Sequence, residues 1–405
     1  MLSVDEALDR IVSKVAPLPA ETVSIADAVG RILAEPVVAR LDQPSADLSA
    51  MDGYAVRAED CAKLPVQFRV VGQAPAGGAY AGTLGHGEAV RIFTGGPLPA
   101  GADTIVIQEN TAADAAGAVT ILEGAQKGRH IRRRGLDFSA GGVGIAAGRR
   151  LTPRDIALAA AMNVPWLTVH KAPRVAILAT GDELVMPGEP VGANQIVSSS
   201  GLAVAALVRG WGGEPTLLGI ARDRVEEIGA RVAAGAGFDV LVTLGGASVG
   251  DHDLVQGVLS SQGFALDFWR IAMRPGKPLM VAERPGCLAL GLPGNPVSTM
   301  VCALLFLRPA IDRLAGGAGG AVAMSPAILG VDVGANDNRQ DYVRARLKRR
   351  SDGVLVATPA AVQDSSMLST LAAADGLIVR PAHDPTRAKG APIDVIDFET
   401  LGAPF

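Results

Sequence analysis

Residues 239–261, DVLVTLGGASVGDHDLVQGVLSS, decide how this chain is read. The apolar run up to Leu244 ends in two glycines, and apolar periodicity resumes at Leu254. A strand therefore feeds a helix through a tight turn. Gly246-Ala247-Ser248-Val249-Gly250 also has the G-x-S-x-G spacing of a hydrolase nucleophile elbow. Such a hydrolase needs a later carboxylate and then a histidine, yet only His252 and His383 follow Ser248. The turn is left with two readings: a glycine-rich connection with a capping serine, or backbone N–H groups presented to an anion.

The same rhythm extends both ways over 173–315. RVAILAT, EPTLLGIA and DVLVTLGG read as strands, and the segments after them as helices. DFWRIAM, PLMVAE and CLALGL read as further strands, and a long helix from Pro296 to Leu314 closes the series. Alternation of this kind implies a parallel, doubly wound α/β sheet whose ligands sit beyond the carboxyl ends of its strands.

Upstream, Leu2, Ala7, Leu8, Ile11, Val12 and Val15 predict an opening amphipathic helix, and a second helix is expected over about 25–33. From about 41 to 140 short β runs divided by Gly and Pro predict a β-rich lobe. LTPRDIALAAAMNV returns to helix, with Thr152 placed to cap and Pro153 at its first position. AGGAGGAVAMSP (315–326) reads as a linker to a small C-terminal unit with β runs at DYVRARLKR, GVLVATP and APIDVIDF. The expected domains are 1–172 (a helical and extended lobe over about 1–40 and 141–172, the β-rich lobe between), 173–316 and 317–405.

Composition narrows the function. A net charge of -4 gives no reason to expect nucleic acid or an anionic membrane as partner. Cys61, Cys287 and Cys302 form no C-x-x-C pair, which fits a reducing, cytoplasmic compartment and excludes a cysteine zinc site. The most apolar helix candidate, STMVCALLFL, stops at Arg308, about half the length of a membrane span.

Two more loops favour an anion site. In IAMRPGKP, Arg274 and Lys277 are expected to project from a proline-stiffened turn directly after a strand. In LALGLPGNPVS, Asn295 is expected to cap a helix opening at Pro296, with the N–H groups of Val297 and Ser298 facing the mouth of the sheet. Asp52, Asp137, Glu183, Asp223 and Asp253 each lie in or beside a glycine-containing turn. Singly each reads as a turn or cap carboxylate. Together they suit Mg²⁺ held against a polyphosphate. The basic run Arg129-His130-Ile131-Arg132-Arg133-Arg134 reads as a solvated face, or as an aid to anion entry.

These motifs, in order, resemble the molybdopterin molybdenumtransferase family, which includes the E domain of gephyrin. The resemblance spans nearly the whole chain: SAMDGYAV, RIFTGGPLPAGADTIVIQE, RRRGLDF, APRVAILATGDEL, DVLVTLGGASVGDHD, IAMRPGKP, LGLPGNPVS and QDSSMLSTLAAADGLIV. It implies an α/β multidomain chain with a two-lobed N-terminal region, a central molybdopterin-binding domain and a C-terminal β-barrel-like domain. It further implies a homodimer that inserts molybdate into adenylated molybdopterin with Mg²⁺, releasing AMP and molybdenum cofactor. Catalytic positions carried over are Asp52, Asp137, Glu183 and Lys277. Thr94, Asp223, Gly245, Gly246, Ser248, Gly250, Pro293, Gly294, Asn295, Pro296 and Ser298 match positions for molybdopterin or its phosphate. Arg274, Lys277, Pro278, Arg344 and Ser365 match those for molybdate, and Asp253 and Asp223 those for the metal. Implied protein partners are the molybdopterin adenylyltransferase and recipient molybdoenzymes. Arg274 stands where Lys is frequent and keeps the charge. Asp364 stands where a small residue is often seen, adding a negative charge beside Ser365. The extra lobes on both sides of the central domain argue against the preceding adenylation step, and the retained Asp52, Asp137 and Lys277 argue against a scaffold.

Overall fold

A computed structural model describes residues 1–124, 126–245, 254–401 and 405, without the side chains of Phe268 and Trp269. The chain forms two compact units, Met1–Glu21 with Gly30–Ala34 and Val169–Phe405, and Thr22–Val29 with Glu35–Thr168.

The first unit opens with the helix Val4–Ser13, whose start is fixed by a capping box. Ser3 Oγ accepts from Glu6 N at 3.1 Å, and Glu6 Oε2 accepts from Ser3 N at 2.8 Å. Val4, Ala7, Leu8 and Ile11 form its buried stripe. The central sheet has the order Glu214–Ala221, Arg174–Thr180, Val240–Leu244, Cys287–Leu292, Pro278–Arg284, Ala265–Arg270. Its strands bury both faces by simple alternation. Val175, Ile177 and Ala179 join one core with the helix Ser200–Gly210 and the helical run from Pro296 to Leu314. Ala176 and Leu178 join the opposite core, with Ile228, Val232, Val255, Val258 and Leu259 of Val225–Ala234 and Leu254–Ser261. With few aromatics to fill them, these cores are mostly Val, Leu, Ile and Ala.

The doubly wound reading holds, with one correction: the sheet is not wholly parallel. The first four strands in the order are parallel, whereas Pro278–Arg284 and Ala265–Arg270 run antiparallel to their neighbours. Only Pro285 and Gly286 separate Pro278–Arg284 from Cys287–Leu292, and so short a link permits only a hairpin. DFWRIAM likewise divides into Ala265–Arg270 and the short Met273–Arg274. The closing run from Pro296 to Leu314 is helical throughout but passes through a π-helical turn at Ala303–Leu307. Pro309 has no N–H to continue a regular ladder there.

The C-terminal strands close a small barrel. Gln340–Arg349 pairs with Leu355–Pro359, then follow Ser325–Leu329, Pro392–Asp397 and Gly376–Arg380, which pairs back onto Gln340–Arg349. Ala327, Leu329, Ala345, Leu355, Ala357, Ile378, Ile393 and Val395 fill it. The expected linker therefore ends in a barrel strand at Ser325. Met273–Arg274 adds in parallel to Gln340–Arg349, tying the central loop to the barrel.

The second unit is a curled six-stranded sheet, in the order Thr104–Ile107, Gly53–Val56, Glu88–Ile92, Val66–Ala74, Ala118–Ile121, Thr111–Ala113. The helix Pro153–Ala161 starts at Thr152 as expected, and Asp155 completes a capping box with it. The second helix expected over 25–33 does not form. A three-residue 3₁₀ turn, Ile25–Asp27, is all that is present, because Gly30 takes the left-handed conformation (φ +82°) and turns the chain away. Among the described residues no helix is long and apolar enough to cross a membrane.

Candidate active site

In the first unit a cleft of about 1220 Å³ opens beyond the carboxyl ends of the parallel strands. Its walls come from the ends of Arg174–Thr180 and Val240–Leu244, the loops Arg270–Pro278 and Pro293–Ser298, and the barrel segment Gln363–Ser366. Expected site residues brought together here are Glu183, Gly245, Arg274, Lys277, Pro278, Pro293, Gly294, Asn295, Pro296, Ser298 and Ser365. Gly246, Ser248, Gly250 and Asp253 lie outside the described residues.

Close backbone approach explains the glycines. Gly245 sits at φ +89°, donates its N–H to Leu292 O at 3.1 Å, and has room for no Cβ, which would meet Thr180 O at 2.9 Å. Gly181 (φ +147°) is covered by the carboxylate of Glu183, which a Cβ would meet at 2.5 Å. Gly276, between Arg274 and Lys277, packs on Cys302 Sγ, 2.4 Å from where a Cβ would stand. A side chain at any of the three positions would move a cleft wall.

The loop after Leu292 departs from expectation. Asn295 occupies the N-cap position, but its Nδ2 donates to Ser365 Oγ at 2.9 Å instead of its side chain accepting from the helix. The N–H of Val297 donates to Ser365 O at 3.1 Å, so it does not face the cleft as a free donor. Ser365 thus seals the helix start, and the barrel wall is fastened to the central domain at this point.

The cations also divide. Arg274 does not project as a free charge. Its Nε donates to Asp341 Oδ1 at 2.6 Å, its Nη2 to Asp341 Oδ2, and Asn336 and Asp337 lie at 3.3 and 3.5 Å. This bidentate pairing, with Asp341 first among the causes, raises its pKa above the usual arginine value. Lys277 is exposed on the cleft wall, and its Nζ has no hydrogen bond or ion pair among the described residues.

Arg344 is the most unusual. It lies on the barrel strand Gln340–Arg349, only 1% exposed, with Nε and Nη1 lacking any hydrogen-bond partner among the described residues. Its backbone is clamped by Gln363, which accepts from Arg344 N and donates to Arg344 O, both at 3.0 Å. Burial pushes its guanidinium below the usual arginine value, and the negative charge of Asp364 works in the opposite direction. A buried guanidinium with open donors is costly unless an anion completes it.

Beyond Thr180 and Ala221 the acids gather. Asp182 Oδ1 accepts from Asp223 N at 3.2 Å, and Arg222 Nη1 donates to Asp182 O at 2.6 Å. Desolvation first, then the charges of Asp182 and Glu183, raise the Asp223 carboxyl above its ordinary value. Among the described residues no three His, Cys, Asp or Glu side chains converge as a preformed metal cage.

The remaining expected residues belong to the second unit. Asp52 Oδ1 accepts from Thr94 N at 2.7 Å and Thr94 Oγ1 at 2.8 Å, and the Thr94 backbone bond is the first cause holding this carboxyl below the usual range. Oδ2 has no hydrogen bond among the described residues. Arg91 stacks over Tyr54 and Phe93, 5.0 Å from each ring centroid, and donates to Gly53 O, which secures the strand following Asp52. Asp137 is exposed in a loop zipped to Gln43 and Pro44 by backbone bonds from Asp137 N and Gly135 N, both 2.9 Å. Arg133 and Arg134 hold the same loop by pairing with Asp47 at 2.6 Å and Asp42 at 2.5 Å. They are braces of the loop, not a merely solvated face.

Sequence reasoning missed Asp341, Asp337, Asn336, Gln363, Asp42 and Asp47. The dense polar run Asn336-Asp337-Asn338-Arg339-Gln340-Asp341 was the available signal for the first three. Their partner, Arg274, lies 67 residues from Asp341 along the chain, beyond the reach of local patterns.

Comparison with known proteins now bears on these loops. Residues 2–163 match the MoeA N-terminal region (domain I and II), 176–313 a probable molybdopterin binding domain, and 326–398 the MoeA C-terminal region (domain IV). A molybdopterin molybdenumtransferase of Nostoc is 39% identical, over 93% of this chain and 88% of its own. The chain belongs to the molybdopterin molybdenumtransferase family. A relative of that name in Bacillus subtilis is 33% identical over 98% of this chain and 94% of its own. The crystal structure of a molybdopterin biosynthesis MoeA protein from Pyrococcus horikoshii superposes with a TM-score of 0.84 at 30% identity, covering 98% of this chain and 99% of that one.

Proposed function

We propose that this family member inserts molybdate into adenylated molybdopterin, with Mg²⁺, and releases AMP and molybdenum cofactor. The observation that carries this reading is Arg344, a buried guanidinium with Nε and Nη1 unpaired among the described residues, whose backbone is held by Gln363 of the cleft that Lys277 and Ser365 also line. Two open N–H donors and a free ammonium are the complement of a small oxyanion. Molybdate is such an ion, and it reaches this chain as substrate.

In this reading Lys277, Arg344 and Ser365 hold molybdate, with Pro278 stiffening the loop of Lys277 and Arg274 tying that loop to Asp341 of the barrel. Gly245, Pro293, Gly294, Asn295, Pro296 and Ser298 line the part of the cleft assigned to molybdopterin and its phosphate, as do Gly246, Ser248 and Gly250. Thr94 and Asp223 are assigned to the same ligand. Asp52, Asp137 and Glu183 act on the reacting groups, Asp52 with its carboxylate oriented by Thr94.

The acids beyond Thr180 and Ala221 fit Mg²⁺. Desolvation first, then the charges of Asp182 and Glu183, raise the Asp223 carboxyl, an unfavourable setting for its charge that a divalent cation relieves, and Mg²⁺ uses one or two carboxylates plus substrate oxygens rather than a closed cage. Asp223 and Asp253 would hold it. When bound, it neutralises charge on the phosphoanhydride oxygens.

The working form is proposed as a homodimer in the cytoplasm, taking substrate from the molybdopterin adenylyltransferase and passing cofactor to recipient molybdoenzymes. Three unpaired, buried cysteines support the reducing compartment. Incubating the protein with adenylated molybdopterin, Mg²⁺ and molybdate should generate AMP and reconstitute an apo-molybdoenzyme. Failure of both, by folded protein that binds adenylated molybdopterin, would refute the reading.

A further inference from the structure

The strand Glu88–Ile92 and the residues just after it reach Asp52 in two ways. Thr94 holds the side chain: its N–H and its hydroxyl both donate to Asp52 Oδ1, at 2.7 and 2.8 Å, while Oδ2 has no hydrogen bond among the described residues. Arg91 holds the backbone. Its Nη1 donates to Gly53 O at 3.2 Å and its Nη2 to Gln108 Oε1 at 2.7 Å, and Gln108 N donates to Asp52 O at 3.0 Å. One guanidinium fork thus closes a ring through the carbonyls of both Asp52 and Gly53. The fork is itself fixed, since Arg91 stands opposite Tyr54 in the ladder and lies 5.0 Å from the ring centroids of Tyr54 and Phe93. Gly53 also presses on the neighbouring strand Thr104–Ile107, where a Cβ would stand 2.0 Å from Val106 O. Against the opposing effect of desolvation, the two Thr94 bonds first and the charge of Arg91 last hold the Asp52 carboxyl below the usual range.

Resting on the reading of Asp52 as a group that acts on the reacting atoms, we propose that Arg91 is a positioning residue for Asp52, its fork and Gln108 together locking the Asp52-Gly53 backbone so that Oδ2 is presented in one direction. Arg91 acts through Asp52 and not on the substrate. A carboxylate tied by one oxygen can still swing with its own main chain. Fixing both carbonyls that follow it removes that freedom, and catalytic rates fall steeply with small errors of distance and direction. The fork matters more than the charge in this role, because two acceptors on different segments must be met at once.

Cofactor formation from adenylated molybdopterin, Mg²⁺ and molybdate is measured on the full chain as kcat and as KM for molybdate, alongside the melting temperature. Arg91→Lys keeps the charge and loses the fork, and Arg91→Met loses both. Gln108→Leu removes the acceptor of Arg91, and Gln108→Glu keeps one. Both Arg91 variants should lower kcat roughly tenfold at unchanged KM, part of the about 10²-fold that a 1 Å misplacement costs. Gln108→Leu should lower kcat a few-fold, and Gln108→Glu should restore it. In an Asp52→Asn background, Arg91→Lys should lower the residual rate no further, since the group it positions is already disabled. Wild-type kcat in Arg91→Lys, or an equal further loss in the Asp52→Asn background, would overturn this inference and leave the role of Asp52 intact. Should the Arg91 variants melt too low to assay, the exposed Gln108 decides, and wild-type kcat in Gln108→Leu would overturn the inference. An Asp52→Asn variant as active as wild type would overturn the reading of Asp52 and this inference with it.

Discussion

The loop Arg270–Pro278 carries an arginine that lines the cleft, the barrel strand Gln340–Arg349 carries one buried behind the cleft residue Gln363, and the two are partnered in opposite ways. Arg274 is exposed enough to reach solvent, yet each nitrogen of its fork already has an acceptor in Asp341, Asp337 or Asn336. Arg344 is almost wholly buried, yet Nε and Nη1 have no partner among the described residues. A cation already neutralised by its own chain has little left for a ligand. A cation buried without partners keeps its donors for one.

The largest expected effect tests the open arginine. Arg344→Met should weaken molybdate binding by roughly 10²-fold or more, the usual consequence of truncating a buried charged partner. The same variant should melt no lower than wild type when empty, since an unpaired buried charge is replaced by an apolar chain of similar length. Lower unliganded stability with unchanged affinity would reverse the comparison. Lys277→Ala should lower the rate of cofactor formation by a comparable factor, without changing the melting temperature, if it stabilises charge in the reacting complex.

Next comes the paired arginine. Arg274→Ala leaves Asp341, 5% exposed, without its bidentate partner, and should destabilise the protein by about 1–3 kcal/mol. Molybdate affinity should change only a few-fold. Arg274→Lys keeps the charge but loses the fork, so it should recover part of the stability. A large affinity loss in Arg274→Lys at wild-type stability would show that Arg274 is itself a ligand.

The smallest effect concerns another paired group in the barrel. Arg380 and Arg387 both hold Asp384, at 3.0 and 2.7 Å. Burial by itself raises this carboxyl, but Arg387 and Arg380 outweigh it and the net direction is down. A depressed carboxyl contributes stability that is present above its unfolded value and lost as pH falls through its folded value. The melting temperature should therefore drop as pH falls below about 4, and Asp384→Asn should flatten that slope while lowering stability at neutral pH. An unchanged slope in Asp384→Asn would place the acid sensitivity elsewhere.

How much of this was legible in the sequence follows the range of the interactions. Local ones were visible: the strand ending at Leu244, the Thr152 cap position with Pro153 after it, the proline-stiffened Arg274–Pro278 loop and the alternation that buries both sheet faces. The failed second helix was nearly local, since Gly30 at φ +82° ends it, but one glycine does not announce its conformation. Pairings were not visible. Nothing near Arg274 points to Asp341, nothing near Val297 shows that Ser365 will take its N–H, and nothing near Asp42 points to Arg134. The cleft residues were therefore recognisable as a set, while which of their charges remain open depended on contacts made by distant chain.

The central claim is that the cleft is an oxyanion site whose open charges are Arg344 and Lys277, not Arg274. The most direct measurement is a set of molybdate isotherms for wild type, Arg344→Met, Lys277→Met and Arg274→Met at one ionic strength. The account predicts saturable binding that is lost in the first two variants and kept within a few-fold in the third. Binding that survives Arg344→Met and Lys277→Met but disappears in Arg274→Met would contradict it.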